Sequence, residues 1–274
     1  MTDSRDTQSP GAGNYASVNG LNMYYEIHGV GQPLVLLHGA FSAIGTSFGN
    51  VLPELATTRQ VITFEMQAHG HTADIDRPLS MEQMADDTAA ALQQLGIENA
   101  DFFGYSMGAG IALQVAIRHP EVVRKLVLAS VTYNKSGLHP GLMEGLAEMK
   151  PEMMSGSPWH EEYMRIAPNP EDFATLFAKK TQMDREVRDL PAEAIEEIKA
   201  RTLLIIGDSD IVRPEHAVEM FQLLGGGVMG DLAGLPSSQL AVLPGTTHVT
   251  LVDRADWLIS MITAFLDAPM PDDK

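Results

Sequence analysis

The order of apolar and polar residues predicts short strands that alternate with helices along most of the chain. Short, mainly apolar runs without regular polar interruption are typical of strands buried on both faces of a sheet. The predicted strands of this kind are Pro33–Leu37, Arg59–Phe64, Asp101–Phe103, Val122–Ala129, Thr202–Ile206 and Gln239–Leu243. Because helical segments separate them, we expect an α/β fold with a mostly parallel, doubly wound sheet.

Three segments carry the end signals or the periodicity of helices. The first, Ser80–Leu95, begins with a residue suited to cap a helix N-terminus, and Gly96 follows it. The second, Ala109–Arg118, comes soon after a predicted strand and ends just before Pro120. The third, Trp257–Leu266, has the pattern of a closing amphipathic helix.

The N-terminal part of the chain predicts a polar leader and then a hairpin. Residues 1–14 are polar and rich in Ser, Asp and Gly, and they lack the apolar stretch of a secretory signal. We therefore expect a disordered leader over these residues. Asn19-Gly20 then joins two β-like stretches, Tyr15–Val18 and Leu21–Ile27, as the turn of a β-hairpin would.

One long segment interrupts the alternation of strands and helices. Residues 133–199 contain no good strand and are rich in Met, Glu and Pro, so they predict a helical insertion. The chain is thus expected to divide into a core formed by residues 15–132 and 200–274 and an inserted helical segment, residues 133–199.

Composition and charge narrow the classes of function. The chain has 274 residues, 45% of them hydrophobic, with no cysteine and a formal net charge of −18. The absence of cysteine excludes disulfides, thiolate catalysis and cysteine metal sites. The acidic balance disfavours nucleic acid and anionic membranes as partners, and no apolar run approaches a membrane span. We expect a soluble, cytoplasmic protein that acts on a small molecule. A homodimer is a possible oligomeric state.

A pentapeptide between a predicted strand and a predicted helix has the pattern of a serine nucleophile. Gly104-Tyr105-Ser106-Met107-Gly108 matches G-x-S-x-G. In this motif the glycines allow a tight strand-to-helix turn that holds the serine hydroxyl exposed. The helix that follows favours negative charge at its N-terminus. The pattern therefore predicts Ser106 as a nucleophile.

A serine nucleophile needs a general base, and the base needs an acid to orient it. Asp210 and His248 both follow predicted strands, in the chain order serine, acid, histidine that this type of fold uses. Because the carboxyl ends of parallel strands meet at one edge of a sheet, we expect the three side chains to converge. The predicted catalytic residues are Ser106, Asp210 and His248.

The loop after the first buried strand is the expected site of an oxyanion hole. It carries His38-Gly39-Ala40-Phe41. A backbone N–H of Ala40 would act together with that of Met107, the residue after the nucleophile, to bind an oxyanion. The amide of Phe41 is the alternative to that of Ala40.

Two further sets of residues are candidates for binding a metal ion or the substrate. His69-Gly70-His71 has the spacing of a chelating pair, but no acid and third histidine are suitably arranged, so we expect no metal site. The insertion is rich in methionine, which adapts to varied apolar shapes. We expect an apolar substrate site formed by the following residues: Phe41, Met143, Met153, Trp159 and Val212.

Several segments together resemble the α/β-hydrolase superfamily, in the branch of small serine esterases, perhydrolase-like enzymes, lactonases and carbon–carbon bond hydrolases. The matching segments are Leu34–Gly39, Gly104–Gly108, Leu203–Val212 and Leu243–His248, with a looser match at Glu65–Thr72. The resemblance covers nearly everything after the leader except the insertion.

The resemblance implies the α/β-hydrolase fold, with the insertion as a cap over the active site. It also implies that the acid is the second aspartate of the G-D-x-D pattern, which is Asp210 and not Asp208. This chain departs from the family pattern where Glu65, Gln67 and Ala68 replace the usual Asp, Arg and Gly. These departures loosen any assignment to a subfamily.

The resulting hypothesis is a serine hydrolase that cleaves a carboxylic ester or lactone of a small apolar substrate through an acyl-enzyme. This chemistry requires no cofactor. The same triad would also serve carbon–carbon bond hydrolysis or perhydrolysis. A different class, a slow or non-catalytic ligand receptor on a hydrolase scaffold, remains as a further alternative.

Overall fold

A computed structural model describes residues 13–270 of the chain. Most of the predicted leader, residues 1–12, lies outside the described residues. The prediction also placed residue 14 in the leader, and this was wrong, because Asn14 pairs with Tyr25 as the first residue of a strand.

The described residues form one eight-stranded sheet with the strand order β1-β2-β4-β3-β5-β6-β7-β8. The strands are β1 Asn14–Val18, β2 Leu21–His28, β3 Gln32–Leu37, β4 Arg59–Phe64, β5 Ala100–Tyr105, β6 Val123–Ala129, β7 Arg201–Ser209 and β8 Ser238–Thr247. β1 pairs with β2, and β2 with β4, in antiparallel fashion. All other pairs are parallel, from β4 through β3 to β8. The predicted fold class is confirmed.

Helices cover both faces of this sheet and fill the insertion. They are α1 Ile44–Phe48, α2 Leu52–Leu55, α3 Met81–Gln94, α4 Met107–Arg118, α5 Leu142–Glu148, α6 Pro158–Ile166, α7 Phe173–Glu186, α8 Ala192–Glu196, α9 Pro214–Leu223, α10 Gly230–Ala233 and α11 Ala255–Asp267. Between residues 13 and 270, none of them is both long and apolar enough to cross a bilayer.

Burial on both faces of β3 explains its unbroken run of apolar residues. Val35 and Leu37 belong to the core layer that also contains side chains of α3 and α4, whereas Leu34 and Leu36 face the layer with α11. All four are fully buried. A strand covered on both faces has no solvent side, so polar residues have no place in it.

The predicted hairpin is present, and its turn follows from its two residues. Asn19 and Gly20 both have positive φ, 49° and 82°, and Val18 pairs directly with Leu21. These are the angles of a tight two-residue hairpin turn whose twist matches that of the strands.

β7 and β8 extend further than their apolar residues predicted. The prediction ended them at Ile206 and Leu243, whereas they continue to Ser209 and Thr247 with a register irregularity. Polar residues at the strand ends continue the pairing after the apolar core stops. This extension brings the ends of both strands to the residues of the candidate site.

The residues from 133 to 199 that interrupt the sequence pattern hold α5 to α8, and no strand lies among them in the described structure. Polar contacts of α6 and α7 are among those that dock this insertion on the core. Glu162 on α6 accepts a hydrogen bond from the Thr46 amide at 3.0 Å. Lys179 on α7 donates to the carbonyl oxygens of Ile75 and Arg77 at 2.8 and 2.9 Å. Its division from the core as a separate cap stays a prediction.

The turn from β5 to α4 is possible only because two of its residues lack side chains. A Cβ on Gly108 would lie 1.9 Å from the carbonyl oxygen of Leu37, at the end of β3. A Cβ on Gly104 would lie 2.3 Å from the carbonyl oxygen of Gly108. In both cases the obstacle is backbone, which cannot rotate away as a side chain can.

We expect Gly108→Ala to lower the free energy of unfolding by about 1–3 kcal/mol or more, because the added methyl overpacks the junction of β3 and α4. Gly145→Ala is the matched control, since Gly145 is an exposed helical residue of α5 with no atom within 4 Å of the added Cβ. It should instead gain up to about 1 kcal/mol from helix propensity. Urea denaturation measures both, and equal stability of the two variants would contradict the packing argument.

Candidate active site

Ser106 occupies a strained backbone position between β5 and α4. Its φ and ψ are 54° and −119°, outside the regions that residues with a side chain usually adopt. Such a conformation costs about 1–3 kcal/mol and persists only where surrounding structure enforces it. Here the Ser106 amide donates to the Ala129 carbonyl at 2.9 Å, and its carbonyl accepts from the Ala109 and Gly110 amides. The result is a serine at the start of a helix with its side chain in a pocket.

The structure brings Ser106, His248 and Asp210 together in one hydrogen-bonded chain. His248 Nε2 lies 2.9 Å from Ser106 Oγ, and His248 Nδ1 lies 2.9 Å from Asp210 Oδ1. The three residues follow β5, β8 and β7, as expected for parallel strands whose carboxyl ends share an edge. Because Nδ1 faces an acceptor and donates its proton there, Nε2 is left as an acceptor for the serine hydroxyl.

Asp210 is a fully buried carboxylate that receives several hydrogen bonds. Besides His248, the amides of Gly207 and Val212 donate to it at 3.2 and 3.3 Å, and the Ser130 hydroxyl donates to its Oδ2. Burial raises the pKa of the Asp210 carboxyl, but the hydrogen bonds from His248 and Ser130, together with the nearby imidazole charge, outweigh this and leave the pKa below its usual range. The group is therefore ionised at neutral pH.

Ser130 is a member of this network that the sequence analysis did not identify. It follows β6, has a positive φ of 56°, and lines the same pocket as Ser106. Its hydroxyl reaches Asp210 from a position 80 residues away in sequence. The only sequence signal is a serine at the end of an apolar strand, which is too common to be informative.

Asp208 has a different set of partners from Asp210. Its carboxylate accepts hydrogen bonds from the Gly245 and Thr246 amides at 2.9 and 3.1 Å. These bonds hold the pKa of the Asp208 carboxyl below its usual range. Asp208 thus ties the end of β7 to the segment that leads into His248.

Tyr105, the residue before the serine, also contacts the histidine. Its hydroxyl donates to the backbone carbonyl of His248 at 2.8 Å, and the two ring centroids lie 5.4 Å apart. Burial raises the pKa of the Tyr105 hydroxyl, so that it stays protonated as a donor. The β5–α4 turn therefore holds both Ser106 and the backbone of His248.

Two backbone amides beside Ser106 are available to a ligand. Among the described residues, the N–H groups of Ala40 and Met107 have no internal hydrogen-bond partner, and both residues line the pocket of Ser106. Met107 is the first residue of α4, where N–H groups lack intrahelical acceptors. The loop of Ala40 lies close to the serine, since a Cβ on Gly39 would lie 3.6 Å from Ser106 Cβ. Both residues thus lie on the wall of the pocket that contains Ser106.

A buried histidine anchors this loop. His38 Nδ1 lies 2.8 Å from the Gly39 carbonyl, and its Nε2 accepts from the Met66 amide at 3.0 Å. The two contacts define the tautomer, with the proton on Nδ1. Burial lowers the pKa of His38, which keeps the ring neutral and suited to this pair of contacts.

The side chains of His69 and His71 have different hydrogen-bond partners. His69 Nδ1 lies 2.9 Å from the Gln67 carbonyl, and burial lowers the pKa of His69 to about 3. His71 Nδ1 instead lies 2.9 Å from the buried carboxylate of Glu65. Within residues 13–270 the structure contains no group of three or more His, Asp or Glu side chains that could hold a metal ion.

The pocket that contains Ser106 and His248, here called the Ser106 pocket, has a volume of about 180 Å³. Apolar side chains of the core and of the insertion dominate its wall. They include Leu113, Val131, Leu142, Met143, Leu146 and Val212. The proposed substrate contacts Met143 and Val212 thus lie in the pocket wall.

Three other residues expected in the substrate site lie elsewhere. Met153 is 68% exposed in a short helical turn before α6, and Trp159 packs against the apolar core at the start of α6. Phe41 has a positive φ of 58°, and its ring stacks on Phe177 of α7 at 5.3 Å. None of the three lines the Ser106 pocket. Apolar character therefore predicted packing for Phe41 and Trp159, but it did not predict which residues line this pocket.

Comparisons with known proteins agree with this fold. Residues 32–190, more than half of the chain, match the family described as alpha/beta hydrolase fold. A 2-hydroxymuconate semialdehyde hydrolase of a Pseudomonas species is 37% identical over 142 residues, which cover 50% of this chain and 48% of that protein. A putative carbamate hydrolase RutD of Rhizobium rhizogenes is 24% identical over 90% of this chain and 98% of that protein.

Solved structures resemble the chain over nearly its whole length. A meta-cleavage product hydrolase from Pseudomonas fluorescens has a TM-score of 0.72 and 20% identity, with coverage of 94% of this chain and 98% of that one. An enol-lactonase from Burkholderia xenovorans has a TM-score of 0.70 and 20% identity, with coverage of 93% and 100%. At this identity the likeness concerns the fold alone. Together with the family match and the related hydrolases, this likeness shows that the chain belongs to the α/β-hydrolase-fold family and is a hydrolase.

Proposed function

We propose that this protein is a serine hydrolase that cleaves a carboxylic ester or lactone of a small, largely apolar substrate. The observation that carries the proposal is the unbroken hydrogen-bonded chain from Asp210 through His248 to the strained Ser106. Two free backbone amides and an apolar pocket adjoin the serine hydroxyl. Together they supply a nucleophile, a base, an orienting acid and an oxyanion site.

In the acylation step Ser106 Oγ attacks the carbonyl carbon while His248 Nε2 takes the hydroxyl proton. The carbonyl oxygen becomes an oxyanion, which accepts hydrogen bonds from the Ala40 and Met107 amides. His248 then gives its proton to the departing alkoxide oxygen, and the alcohol leaves an acyl group on Ser106.

Deacylation repeats these transfers with water as the nucleophile. His248 accepts a proton from the water as it attacks the acyl carbon, and then returns a proton to Ser106 Oγ as the carboxylic acid departs. Asp210 stays ionised and stabilises the imidazolium in both steps. All proton transfers use these side chains and water, so the proposal involves no cofactor.

Hydrolysis of a carbon–carbon bond is the second candidate. The 37% identical relative is a 2-hydroxymuconate semialdehyde hydrolase, and a structural neighbour is a meta-cleavage product hydrolase. The same serine, histidine and aspartate would serve this reaction. A panel of aryl esters, lactones and vinylogous diketones of similar size distinguishes the candidates by their relative kcat/KM values.

We expect Ser106→Ala to reduce kcat for a simple aryl ester by about 10⁴-fold or more, because the nucleophile is removed. Wild-type protein should react with a small fluorophosphonate at Ser106, and the variant should not. Circular dichroism and thermal melting serve as controls for folding. Turnover retained in a folded variant would exclude Ser106 as the nucleophile.

Asp210→Asn should reduce kcat by about 10⁴-fold, because an amide favours the wrong imidazole tautomer. Asp208→Asn is the matched control two residues away, and its effect should be far smaller because Asp208 accepts from backbone amides and does not contact His248. Steady-state kinetics of both variants on the same ester measure the difference. The opposite ranking would assign the acid to Asp208.

Met143→Ala should change the ratios of kcat/KM among esters of increasing acyl length, because Met143 lines the Ser106 pocket. One hydrophobic contact in a pocket is worth about 1–3 kcal/mol, or roughly 10–200-fold in selectivity. Met153→Ala is the control for a methionine of the insertion outside the pocket, and it should keep the wild-type ratios. Identical profiles of the two variants would contradict a role of α5 in specificity.

A further inference from the structure

An ion pair on α7, with a buried lysine and a partly exposed aspartate, lines the Ser106 pocket. Lys180 Nζ lies 2.6 Å from both carboxylate oxygens of Asp184, one helical turn later. Lys180 is only 8% exposed, and both residues lie in the pocket wall together with Ser106. The pair places two opposite charges in a wall whose other charged residues, Lys135, Arg188 and Asp189, are exposed, and whose remaining area is mostly apolar.

Lys180 lies close to the proposed oxyanion loop. Its ammonium is 5.9 Å from the centroid of the Phe41 ring, and Phe41 directly follows Ala40. α7 thus brings Lys180 close to the residue that follows Ala40, whose amide is proposed to bind the reacting oxygen. A substrate bound to Ser106 would have the pair within the same small cavity.

The pair has hydrogen-bonding capacity that the protein itself does not use. An ammonium has three donors, and a carboxylate has about four acceptor sites. Across residues 13–270, neither charged group has a hydrogen-bond partner other than its counterpart, so Lys180 retains a donor and Asp184 retains acceptors. Burial makes the unused donor of Lys180 costly, because this ammonium has lost most of its water, whereas Asp184 is partly exposed.

The charges restrict what can bind there. A carboxylate on the substrate would be attracted by Lys180 but repelled by Asp184, and an ammonium would meet the reverse arrangement. A hydroxyl group avoids both penalties, because its oxygen accepts from Lys180 while its hydrogen is donated to Asp184. It satisfies both charged groups without adding a charge.

We propose that Lys180 and Asp184 form a subsite for an uncharged hydroxyl group on the substrate, and that this subsite determines specificity. The inference rests on the proposed serine hydrolase function and names the class of substrate: small hydroxylated esters or lactones. The apolar remainder of the pocket binds the carbon skeleton.

The test compares matched substrates. The first series consists of aryl esters of one acyl length that carry no substituent, a hydroxyl at successive carbons, or a terminal carboxylate. The second series places the hydroxyl on the alcohol portion instead. At one position or more, the hydroxyl should raise kcat/KM of the wild-type protein by about 10–100-fold, the strength of a hydrogen bond to a charged group. Equal kcat/KM for hydroxylated and plain esters at every position, or preference for the carboxylate, would overturn the proposal.

Variants then assign the preference to the pair. Lys180→Met and Asp184→Asn should each reduce the hydroxyl preference by about tenfold or more. A double variant, Lys180→Met with Asp184→Leu, removes both charges and should prefer the plain ester. Lys199→Met is the matched control, since Lys199 is an exposed lysine of the same insertion that does not line the Ser106 pocket. It should keep the wild-type ratio, and a preference unchanged in the folded Lys180 and Asp184 variants would refute the assignment.

A binding measurement separates this inference from the proposed function. Calorimetry with Ser106→Ala compares the same hydroxylated and plain esters without turnover, and tighter binding of the hydroxylated ester is expected. If the protein neither turns over plain esters nor reacts with a fluorophosphonate, the proposed function fails, whereas turnover without hydroxyl preference defeats the subsite alone. Equal affinities in calorimetry would overturn the subsite whether or not the protein is an esterase.

Discussion

The buried carboxylate of Asp210 is the constraint on which the rest of the site depends. A charge removed from water is tolerated only when hydrogen bonds compensate for its lost hydration. Here the compensation comes from three strand ends: Ser130 follows β6, the Gly207 amide belongs to β7, and His248 follows β8. Satisfying one carboxylate therefore aligns the ends of three parallel strands and orients the imidazole toward Ser106.

The second constraint is the close approach of β3 to the turn between β5 and α4. Gly108 packs against the carbonyl of Leu37, so the loop that follows β3, the proposed oxyanion loop, lies directly beside Ser106. The strained Ser106 and the first residue of α4, Met107, lie in the same turn. The absence of side chains at Gly104 and Gly108 thus allows the close packing that brings the serine and the loop after β3 together.

The proposed specificity has a different physical basis from the proposed chemistry. The groups proposed to react lie on the edge of a rigid sheet, while most of the surrounding wall on the other side comes from the helical insertion. Apolar residues such as Met143 can adapt to many shapes. The Lys180–Asp184 pair instead favours a ligand that offers it hydrogen-bonding groups. A charged group that has lost most of its water, such as Lys180, needs a hydrogen-bond partner, whereas an apolar side chain does not. A pocket that combines both kinds of wall would accept varied carbon skeletons and select for a polar group on them.

The sequence by itself determined the fold class, the strands and the chain order of Ser106, Asp210 and His248, because buried strands, tight turns and helix ends are governed by local composition. It did not reveal Ser130 or Tyr105, whose partners lie 80 and 143 residues away, nor did it separate Met143 in the pocket from Met153 in solvent. An apolar residue has the same preference for burial wherever it is, and a hydroxyl has the same capacity to donate. Only tertiary structure decides which neighbours each one meets, because strands distant in sequence become adjacent and bring their ends to a common edge.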